Sequence, residues 1–169
     1  MGLLFLTGFM GTGKSATAGV LAEKLSRELM DLDQVIEVDQ GRTISDIFAV
    51  EKEPYFRKIE SETLRCIDPR TDAVVSCGGG IVLDPLNVEY MRNNSELLVC
   101  LDARPEVIYN RIKKETHRPL LAMADPLKII HELMDKRADA YASVAYHVDT
   151  SDLTPDEVAR KIIKHLKGS

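Results

Sequence analysis

The 169-residue sequence lacks a run of the roughly 18 apolar residues that a membrane-spanning helix requires. It also lacks an excess of basic residues, since 22 Lys and Arg stand against 27 Asp and Glu, giving a net charge of −5. This balance disfavours a general basic face for nucleic acid, although a local basic pocket is still compatible with it. We therefore expect neither a membrane nor a nucleic acid as a partner.

Cysteine is scarce, and its positions suggest no metal site. Cys66, Cys77 and Cys100 form no Cys-x-x-Cys pair, and the four histidines show no metal-ligand spacing, so no structural zinc is predicted. The apolar start of the chain is too short and uncharged for a signal peptide. We therefore expect free thiols in a reducing compartment and a cytoplasmic protein.

No repeat, low-complexity segment or linker interrupts the chain, so residues 1–169 are expected to form one domain. Apolar residues make up 44% and charged residues 29%, as in an ordinary globular protein. Short apolar stretches alternate with helical patterns, which predicts an α/β fold with a parallel sheet covered on both faces. The predicted strands are 3–6, 29–32, 73–76, 97–101 and 147–149. The predicted helices are 15–27, 33–62 in pieces with breaks near Gly41 and Pro54, 104–114, 126–141 and 155–166.

A glycine-rich segment follows the first predicted strand. Residues 8–15 read Gly-Phe-Met-Gly-Thr-Gly-Lys-Ser and match the phosphate-binding pattern G-x-x-x-x-G-K-[ST]. Glycines let the backbone wrap a phosphate with its N–H groups inward, and the next helix directs its N-terminus at the anion. Lys14 is expected to reach the β- and γ-phosphates, and the Ser15 hydroxyl to bind Mg²⁺. A glycine-rich turn with an incidental lysine is the alternative, which the position between a strand and a helix disfavours.

Nucleotide binding alone leaves an enzyme, a switch and a motor open. The Asn-Lys-x-Asp pattern that specifies guanine in GTPase switches is absent from the sequence, and a motor or transporter ATPase would normally be longer. The pattern therefore favours a kinase that acts on a small molecule or a nucleotide.

Two carboxylates follow the second predicted strand. Asp31 and Asp33 are two residues apart, so in an extended segment they would share a face and could both face the cleft. One could then hold a Mg²⁺-bound water while the other accepts a proton from a substrate hydroxyl. Alternatively, Asp33 caps the following helix. Because the two carboxylates follow a phosphate loop at this separation in the sequence, a catalytic site is favoured over helix capping.

A charged pair and a run of glycines indicate where an acceptor would bind. Arg57 and Glu60 lie three residues apart on a predicted helix, so the carboxylate can brace the guanidinium for an anionic substrate. A solvated surface pair is the alternative. Gly78, Gly79 and Gly80 follow the third strand and form either a flexible turn or a surface that a substrate approaches closely.

Taken in order, these motifs resemble the shikimate kinase family across nearly the whole chain. The family pattern runs phosphate loop, D-x-D, G-E-x-x-F-R-x-x-E, G-G-G, R-P-L-L and R-x-x-x-Y. The matching segments are 8–15, 31–33, 53–60, 78–80, 118–121 and 137–141. The resemblance implies a three-layer P-loop fold with a five-stranded parallel sheet, a substrate-binding segment near 33–61 and a mobile lid near 113–125. It also implies ATP-dependent phosphorylation of the shikimate 3-hydroxyl in aromatic amino-acid (chorismate) biosynthesis.

The resemblance also implies roles for individual residues. Lys14, Asp33 and Arg118 would be the catalytic groups, with Asp33 as the base and Arg118 delivered by the lid. Mg²⁺ would be held by Ser15 and, through water, by Asp31. Residues that would bind ATP are Gly11, Thr12, Gly13, Lys14, Ser15, Ala16, Arg111, Arg118 and Thr150. Residues that would bind shikimate are Asp33, Arg57, Gly78, Gly79, Gly80 and Arg137.

Three positions depart from the family pattern. Lys52 stands where glycine usually precedes Glu53, Cys77 stands where threonine or serine is common, and Leu32 replaces a small or polar residue. The first departure puts the conformation of the turn before Arg57 in question. The second could weaken a hydroxyl contact on the Mg²⁺ side.

Two other functions stay open at this point. One is another small phosphate-loop kinase, such as a gluconate kinase, which the combination of Phe56 and Arg57 with the three glycines disfavours. The other is a regulatory module that binds nucleotide without turnover, which the presence of Lys14, Asp33 and Arg118 disfavours. Shikimate and ATP are the expected small-molecule partners, and a monomer is the expected state.

Overall fold

Five short, mostly apolar stretches form one parallel sheet in the computed structural model, which describes residues 2–113 and 125–168. The strands are β1 (Leu4–Gly8), β2 (Glu28–Asp31), β3 (Ala73–Ser76), β4 (Leu97–Asp102) and β5 (Tyr146–Asp149). Their order across the sheet is β2-β3-β1-β4-β5, and all pairs are parallel. The α/β fold and the five-stranded parallel sheet that the sequence predicts are thereby confirmed.

Eight helices surround this sheet within the described residues. They are α1 (Lys14–Leu25), α2 (Leu32–Gln40), α3 (Ile44–Val50), α4 (Lys52–Cys66), α5 (Pro85–Asn93), α6 (Pro105–Ile112), α7 (Pro126–Ala142) and α8 (Pro155–Gly168). Proline opens four of them, because its fixed φ suits the first turn and its missing N–H costs nothing there. None of the described helices has both the length and the apolar character needed to cross a membrane.

The central strand β1 divides the core into two layers. All five of its residues are buried, and successive side chains point to opposite faces. Leu4 and Leu6 pack with buried residues of α1 and α8, whereas Leu3 and Phe5 pack with those of α2 to α7. The strand is therefore buried at every position, including the polar Thr7, as expected for a parallel sheet covered on both sides.

The structure differs from the sequence prediction in the helix that contains Pro54 and in the segment between β3 and β4. Pro54 does not break a helix, because it lies in the first turn of α4, where proline is tolerated. Helix α5 and a short 3-10 turn at Ile81–Leu83 were not predicted at all. A signal for α5 was present, since the Asp84 carboxylate accepts a hydrogen bond from Leu86 N at 2.9 Å and Pro85 follows it.

The parallel arrangement brings the ends of the strands to one edge. β1 runs into the glycine-rich segment 8–15, β2 ends at Asp31, β3 is followed by residues 77–80, and β5 by Thr150. Ligands of open α/β sheets bind along this carboxyl edge. The fold thus places the sequence motifs of the predicted site next to one another.

Lys52 connects α3 and α4 in a conformation that normally belongs to glycine. Its φ is +70°, one of two positive values among non-glycine residues in the described chain. It directly follows Glu51, the C-cap of α3, and this position after a helix commonly adopts the left-handed conformation. The turn therefore keeps the shape that glycine allows, although a Cβ in this region costs roughly 1–2 kcal/mol.

We expect Lys52→Gly to be more stable than Lys52→Ala by about 1 kcal/mol. The alanine variant is the matched control, because it also loses the bond from Lys52 Nζ to Ala49 O (2.6 Å) but keeps the Cβ. Urea unfolding of both variants at the same pH measures the difference. Equal or lower stability of the glycine variant would contradict the assignment of strain to this residue.

Candidate active site

The segment 8–15, hereafter the phosphate loop, leads from β1 into α1 and is shaped to hold an anion. Gly13 lies just before the helix with φ +92°, a value that favours glycine. No side chain caps the first turn of α1, so its N-terminal N–H groups point at the loop without a side-chain acceptor. An uncapped helix start beneath a glycine-rich turn is a phosphate-binding arrangement.

Two side chains of the loop, Lys14 and Ser15, make contacts within the predicted site. Lys14 Nζ donates hydrogen bonds to the carbonyls of Gly8 (2.8 Å) and Phe9 (2.9 Å), which curls the ammonium over the loop. Ser15 Oγ lies 3.4 Å from Asp31 Oδ2, so the two predicted metal-holding groups meet although they are 16 residues apart. The buried Thr12 hydroxyl instead donates to Phe9 O at 2.7 Å and braces the loop from within.

Asp31 and Asp33 reach the cleft by a geometry other than the expected extended segment. Asp31 is the last residue of β2, and its carboxylate caps α2 by accepting from Asp33 N (3.0 Å) and Gln34 N (3.4 Å). The sequence alternative named Asp33 as the capping residue, which is wrong, because Asp33 already lies inside the first turn of the helix. Both carboxylates still line one cavity of about 340 Å³ with Lys14 and Ser15.

Burial shapes the chemistry of Asp33. Removal from water and the nearby Asp31 carboxylate raise the pKa of Asp33, while Lys14 opposes them. Its Oδ1 is buried and has no hydrogen-bond partner among the described residues. A buried acceptor without a donor is costly, and a bound hydroxyl group would satisfy it.

A second cluster lies on α4, where Arg57 is held between two carboxylates. Its Nη1 bonds to Glu60 Oε2 at 2.8 Å, and its Nε and Nη2 lie 3.2 and 3.1 Å from Glu53 Oε1. The Glu60 side chain is only 1% exposed, so the surface-pair alternative does not hold. Although burial lowers the pKa of Arg57, Glu60 and Glu53 raise it above its ordinary value, and the guanidinium stays charged and oriented.

The glycines after β3 have no side chains, and this lets Arg57 and the carboxylates of Glu60 and Asp33 pack against the backbone there. A Cβ on Gly80 would overlap the Arg57 guanidinium. A Cβ on Gly78 would lie 2.8 Å from Glu60 Oε1 and 3.1 Å from Asp33 Oδ1, and neither oxygen has a hydrogen-bond partner in the part of the chain that the structure describes. Glycine is therefore required here for close approach, and two unsatisfied oxygens converge beside this backbone.

Helix α7 carries the remaining predicted acceptor residue and one that sequence reasoning gave no role. The Arg137 guanidinium lies 5.9 Å from the centre of the Phe9 ring. Burial raises the pKa of Tyr141, and Arg137, which hydrogen-bonds to it, lowers it. The Tyr141 hydroxyl in turn donates to Gly79 O at 2.5 Å. The signal for Tyr141 was its spacing of four residues from Arg137, which places both on one face of a helix.

The predicted nucleotide-base residues meet on the other side of the phosphate loop. Arg111 Nη1 donates to Thr150 Oγ1 (3.0 Å) and Gly11 O (3.2 Å), and its Nη2 donates to Thr150 O (2.7 Å). Thr150 is buried, and its hydroxyl donates to Thr12 O at 2.8 Å. These bonds tie α6, the end of β5 and the loop together. Ala16 lines the phosphate cavity beside Ser15.

Two further sequence predictions concern the lid with Arg118 and the cysteine at position 77. Arg118 and residues 114–124 of the predicted lid lie outside the described residues. Cys77 is buried in the phosphate cavity wall, where burial and the negative charges of Glu60 and Asp33 raise the pKa of its thiol well above the ordinary value. A neutral thiol is a poor ligand for Mg²⁺, so Cys77 does not replace a hydroxyl there.

Comparison with known proteins points to one family. The model of the family described as "Shikimate kinase" matches residues 10–167. A shikimate kinase of Thermodesulfovibrio yellowstonii is 42% identical over 164 residues, covering 97% of this chain and 94% of the relative. One of Caldanaerobacter subterraneus is 40% identical over 168 residues and covers 98% of each.

Solved structures give the same picture. Shikimate kinase from Acinetobacter baumannii in complex with shikimate superimposes with a TM-score of 0.91 at 30% identity, over 99% of this chain and 94% of that one. A gluconokinase from Sinorhizobium meliloti reaches a TM-score of 0.56 at 16% identity, over 99% of this chain and 92% of that one. At that identity it shares the fold alone.

We expect Asp33→Asn to raise the free energy of unfolding at neutral pH. The raised pKa means that the folded chain holds the Asp33 proton to a higher pH than the unfolded chain, where the value is about 3.9. The contribution of the protonated Asp33 to the free energy of unfolding is fully present below the pKa of the unfolded chain. It is lost as the pH rises through the pKa of the folded chain. The amide of asparagine does not ionise, so the variant avoids this loss.

Urea unfolding measured near pH 4 and near pH 7 checks this expectation, and the gain should be larger at the higher pH. Asp84→Asn is the matched control for exchanging an aspartate for an asparagine, because Asp84 also caps a helix, asparagine keeps that cap, and Asp84 lies outside the Asp31–Asp33 pair. An equal gain for Asp33→Asn at both pH values would contradict the assignment.

Proposed function

Because this chain belongs to the shikimate kinase family, we propose that it transfers the γ-phosphoryl group of ATP to the 3-hydroxyl of shikimate. The products are shikimate 3-phosphate and ADP, a step of aromatic amino-acid (chorismate) biosynthesis. The observation that carries this proposal is the unpartnered Asp33 carboxylate oxygen, which lies in the same cavity as Lys14 and beside the braced Arg57.

The nucleotide side of the reaction uses the phosphate loop. The backbone of residues 11–16 receives the β- and γ-phosphates, and Lys14 exchanges its two loop carbonyls for phosphate oxygens. Arg111, already fixed by Thr150, presents its guanidinium plane to the adenine ring. The bonds from Arg111 and Thr150 to the loop hold the base and phosphate subsites at a fixed separation.

Ser15 and Asp31 fit a Mg²⁺ ion. They offer a hydroxyl and a carboxylate oxygen 3.4 Å apart at the mouth of the phosphate cavity, and oxygen donors are what this cation requires. Asp31 would act through a water molecule, since it also caps α2. When bound, the ion supplies neutralisation of the charge that develops on the phosphate oxygens.

The acceptor side orients shikimate by its carboxylate and activates its hydroxyl. Arg57 and Arg137 bind the carboxylate, with Arg57 held flat by Glu60 and Glu53. Gly79 and Gly80 let the ring approach the backbone. Asp33 Oδ1 accepts the proton of the 3-hydroxyl while that oxygen bonds to the γ-phosphorus and the bond to the bridging oxygen of ADP breaks.

The family resemblance adds the organisation around this centre. We assign residues 1–169 to one kinase domain, with a substrate-binding segment near 33–61 and a lid near 113–125 that delivers Arg118 to the transferred group. Closure of such a lid excludes water that would otherwise hydrolyse ATP. We further propose that the enzyme works as a cytoplasmic monomer, in keeping with its three free cysteines.

Coupled ADP release measured with shikimate, with gluconate and with no acceptor tests the activity. Turnover should require MgATP and shikimate and should vanish in Lys14→Ala, which removes the phosphate-binding cation without touching the core. Turnover with gluconate would support the other small-molecule kinase, and nucleotide binding without turnover on any hydroxylated carboxylic acid would support the regulatory module.

We expect Arg57→Ala to raise the KM for shikimate about 10–150-fold, because a charge-assisted pair contributes about 1.5–3 kcal/mol. The KM for ATP should change little. Arg57→Lys should recover part of the loss, since an ammonium cannot bind a carboxylate through two parallel bonds. Arg65→Ala, on the same helix and with its Nη1 donating to Ser61 O at 2.8 Å, is the control. Equal changes in both KM values would show a folding defect instead.

We expect Arg118→Ala to lower kcat by about 10³-fold, the lower end of the range for arginines that meet a transferring phosphoryl group. Lys14 and Mg²⁺ share that charge, which is why the lower end applies. The control is Arg70→Ala, whose side chain is 89% exposed and pairs with Asp68. Near-native kcat, together with proteolysis at 113–125 that ligands do not slow, would overturn the lid role.

A further inference from the structure

Three potential metal ligands meet where β4 pairs with β5. Cys100 and Asp102 lie two residues apart on β4, and His147 on β5 is the register partner of Cys100. Cys100 Sγ is 3.6 Å from Asp102 Oδ1, and Asp102 Oδ2 is 2.7 Å from His147 Nδ1. One ligand atom from each residue lies within 4.8 Å of the other two. Sequence spacing had indicated no metal site, because the ligands come from separate strands.

Two contacts fix the orientation of the His147 ring. Its Nε2 lies 2.9 Å from Val144 O, and since a carbonyl only accepts, Nε2 must carry a hydrogen. Its Nδ1 lies 2.7 Å from Asp102 Oδ2, so the ring nitrogen and the carboxylate face the same space.

We propose that Cys100 Sγ, an Asp102 carboxylate oxygen and His147 Nδ1 form a binding site for a zinc-type divalent cation. Thiolate, imidazole and carboxylate are the three ligand types that Zn²⁺ takes in proteins. Tetrahedral bonds of about 2.3 Å to sulfur and about 2.0 Å to oxygen place those atoms about 3.5 Å apart. Cys100 Sγ is 3.6 Å from Asp102 Oδ1, close to that value, whereas His147 Nδ1 is 2.7 Å from the other oxygen, Oδ2. The carboxylate and the imidazole would therefore both have to shift to bring one shared oxygen beside both ligands.

The surroundings of the cluster suit a metal site. A metal-binding histidine usually donates its other N–H to a carbonyl or carboxylate, which fixes the ring, and Val144 O occupies that position. Asp102 is held from behind, because its backbone carbonyl accepts from Thr150 N at 2.8 Å. Cys100 is fully buried, whereas the side chains of His147 and Asp102 are 33% and 46% exposed, so a cation can enter from solvent.

The charges around the opening are mixed. Asp149, the register partner of Asp102, adds a carboxylate at the same end of the sheet. Lys161 and Lys164 of α8 border the cleft in which His147 is exposed. Burial and the Asp102 carboxylate raise the pKa of the Cys100 thiol, so a cation must displace its proton on binding. The thiolate formed in this way and the carboxylate together neutralise a divalent ion. A fourth position stays open for water, as in sites with three protein ligands.

This site is separate from the one proposed for Mg²⁺. Ser15 and Asp31 offer only oxygen atoms, which suit a hard cation, whereas Cys100 adds sulfur, which selects a softer one. The inference does not depend on the proposed kinase activity, because its test measures metal binding directly.

The test is a titration of the chelator-treated, reduced full-length protein with Co²⁺, without nucleotide. Cobalt bound by a thiolate gives a charge-transfer absorption band in the near ultraviolet, which binding at Ser15 and Asp31 cannot produce. We expect the band to saturate at one equivalent and to be abolished by added Zn²⁺. Isothermal titration with Zn²⁺ should give the same stoichiometry.

Four variants decide whether the band comes from this cluster. Cys100→Ser and His147→Ala should lose it, and Asp102→Asn should weaken binding by at least about tenfold. Because Cys100 is buried, the partly exposed His147 provides a variant with little risk to folding, which far-ultraviolet circular dichroism confirms. Cys66→Ser, which removes an exposed thiol elsewhere, should keep the band. Absence of the band, its survival in Cys100→Ser or His147→Ala, or its loss in Cys66→Ser would overturn the proposal.

Discussion

The parallel pairing of the five strands is the constraint on which every part of the site depends. Because the strands point the same way, the phosphate loop, Asp31, the glycines after β3 and Thr150 all leave the sheet at one edge. An antiparallel neighbour would send its terminal residues to the far side. The buried, apolar β1 at the centre fixes this edge, since a shift by one residue would turn its side chains to the wrong core.

At that edge the chain buries two carboxylate oxygens that the described residues leave unsatisfied. Asp33 Oδ1 and Glu60 Oε1 have no hydrogen-bond donor within residues 2–113 and 125–168, and they converge on Gly78. Burial raises the pKa of Glu60, while Arg57 lowers it. Such groups reduce the stability of the free protein, and they are found where a bound substrate completes the missing bonds. The arrangement is therefore better explained by an acceptor hydroxyl than by folding alone.

The sequence predicted the sheet and the motifs that meet at its edge because these depend on local patterns. Short apolar runs identify buried parallel strands, and the glycine-rich loop carries its own conformational signature. Asp31 was harder to interpret, since whether a carboxylate continues a strand or caps a helix is decided by where the helix begins. Arg57 and Glu60 could have been a surface pair, and only their burial against Gly80 distinguishes the two.

Contacts between distant segments could not be predicted in this way. Thr150 joins Arg111, Thr12 and Asp102 through bonds that span up to 138 residues of sequence. The meeting of His147 with Cys100 follows from the register of two strands that are separated by α6 and α7. Neither arrangement has a local pattern, because each partner is an ordinary residue until the tertiary fold brings it to the other.

The neutral, buried thiol of Cys77 has a consequence for covalent inhibitors. It lies in the wall of the phosphate cavity, within reach of a ligand, yet the thiolate needed to attack an electrophile is suppressed by burial and by the charges of Glu60 and Asp33. Cys66 is the exposed cysteine, does not line the phosphate cavity, and reacts first with any general alkylating agent. Inhibitors of this protein would therefore gain more from ionic contacts with Arg57 than from a reactive warhead aimed at sulfur.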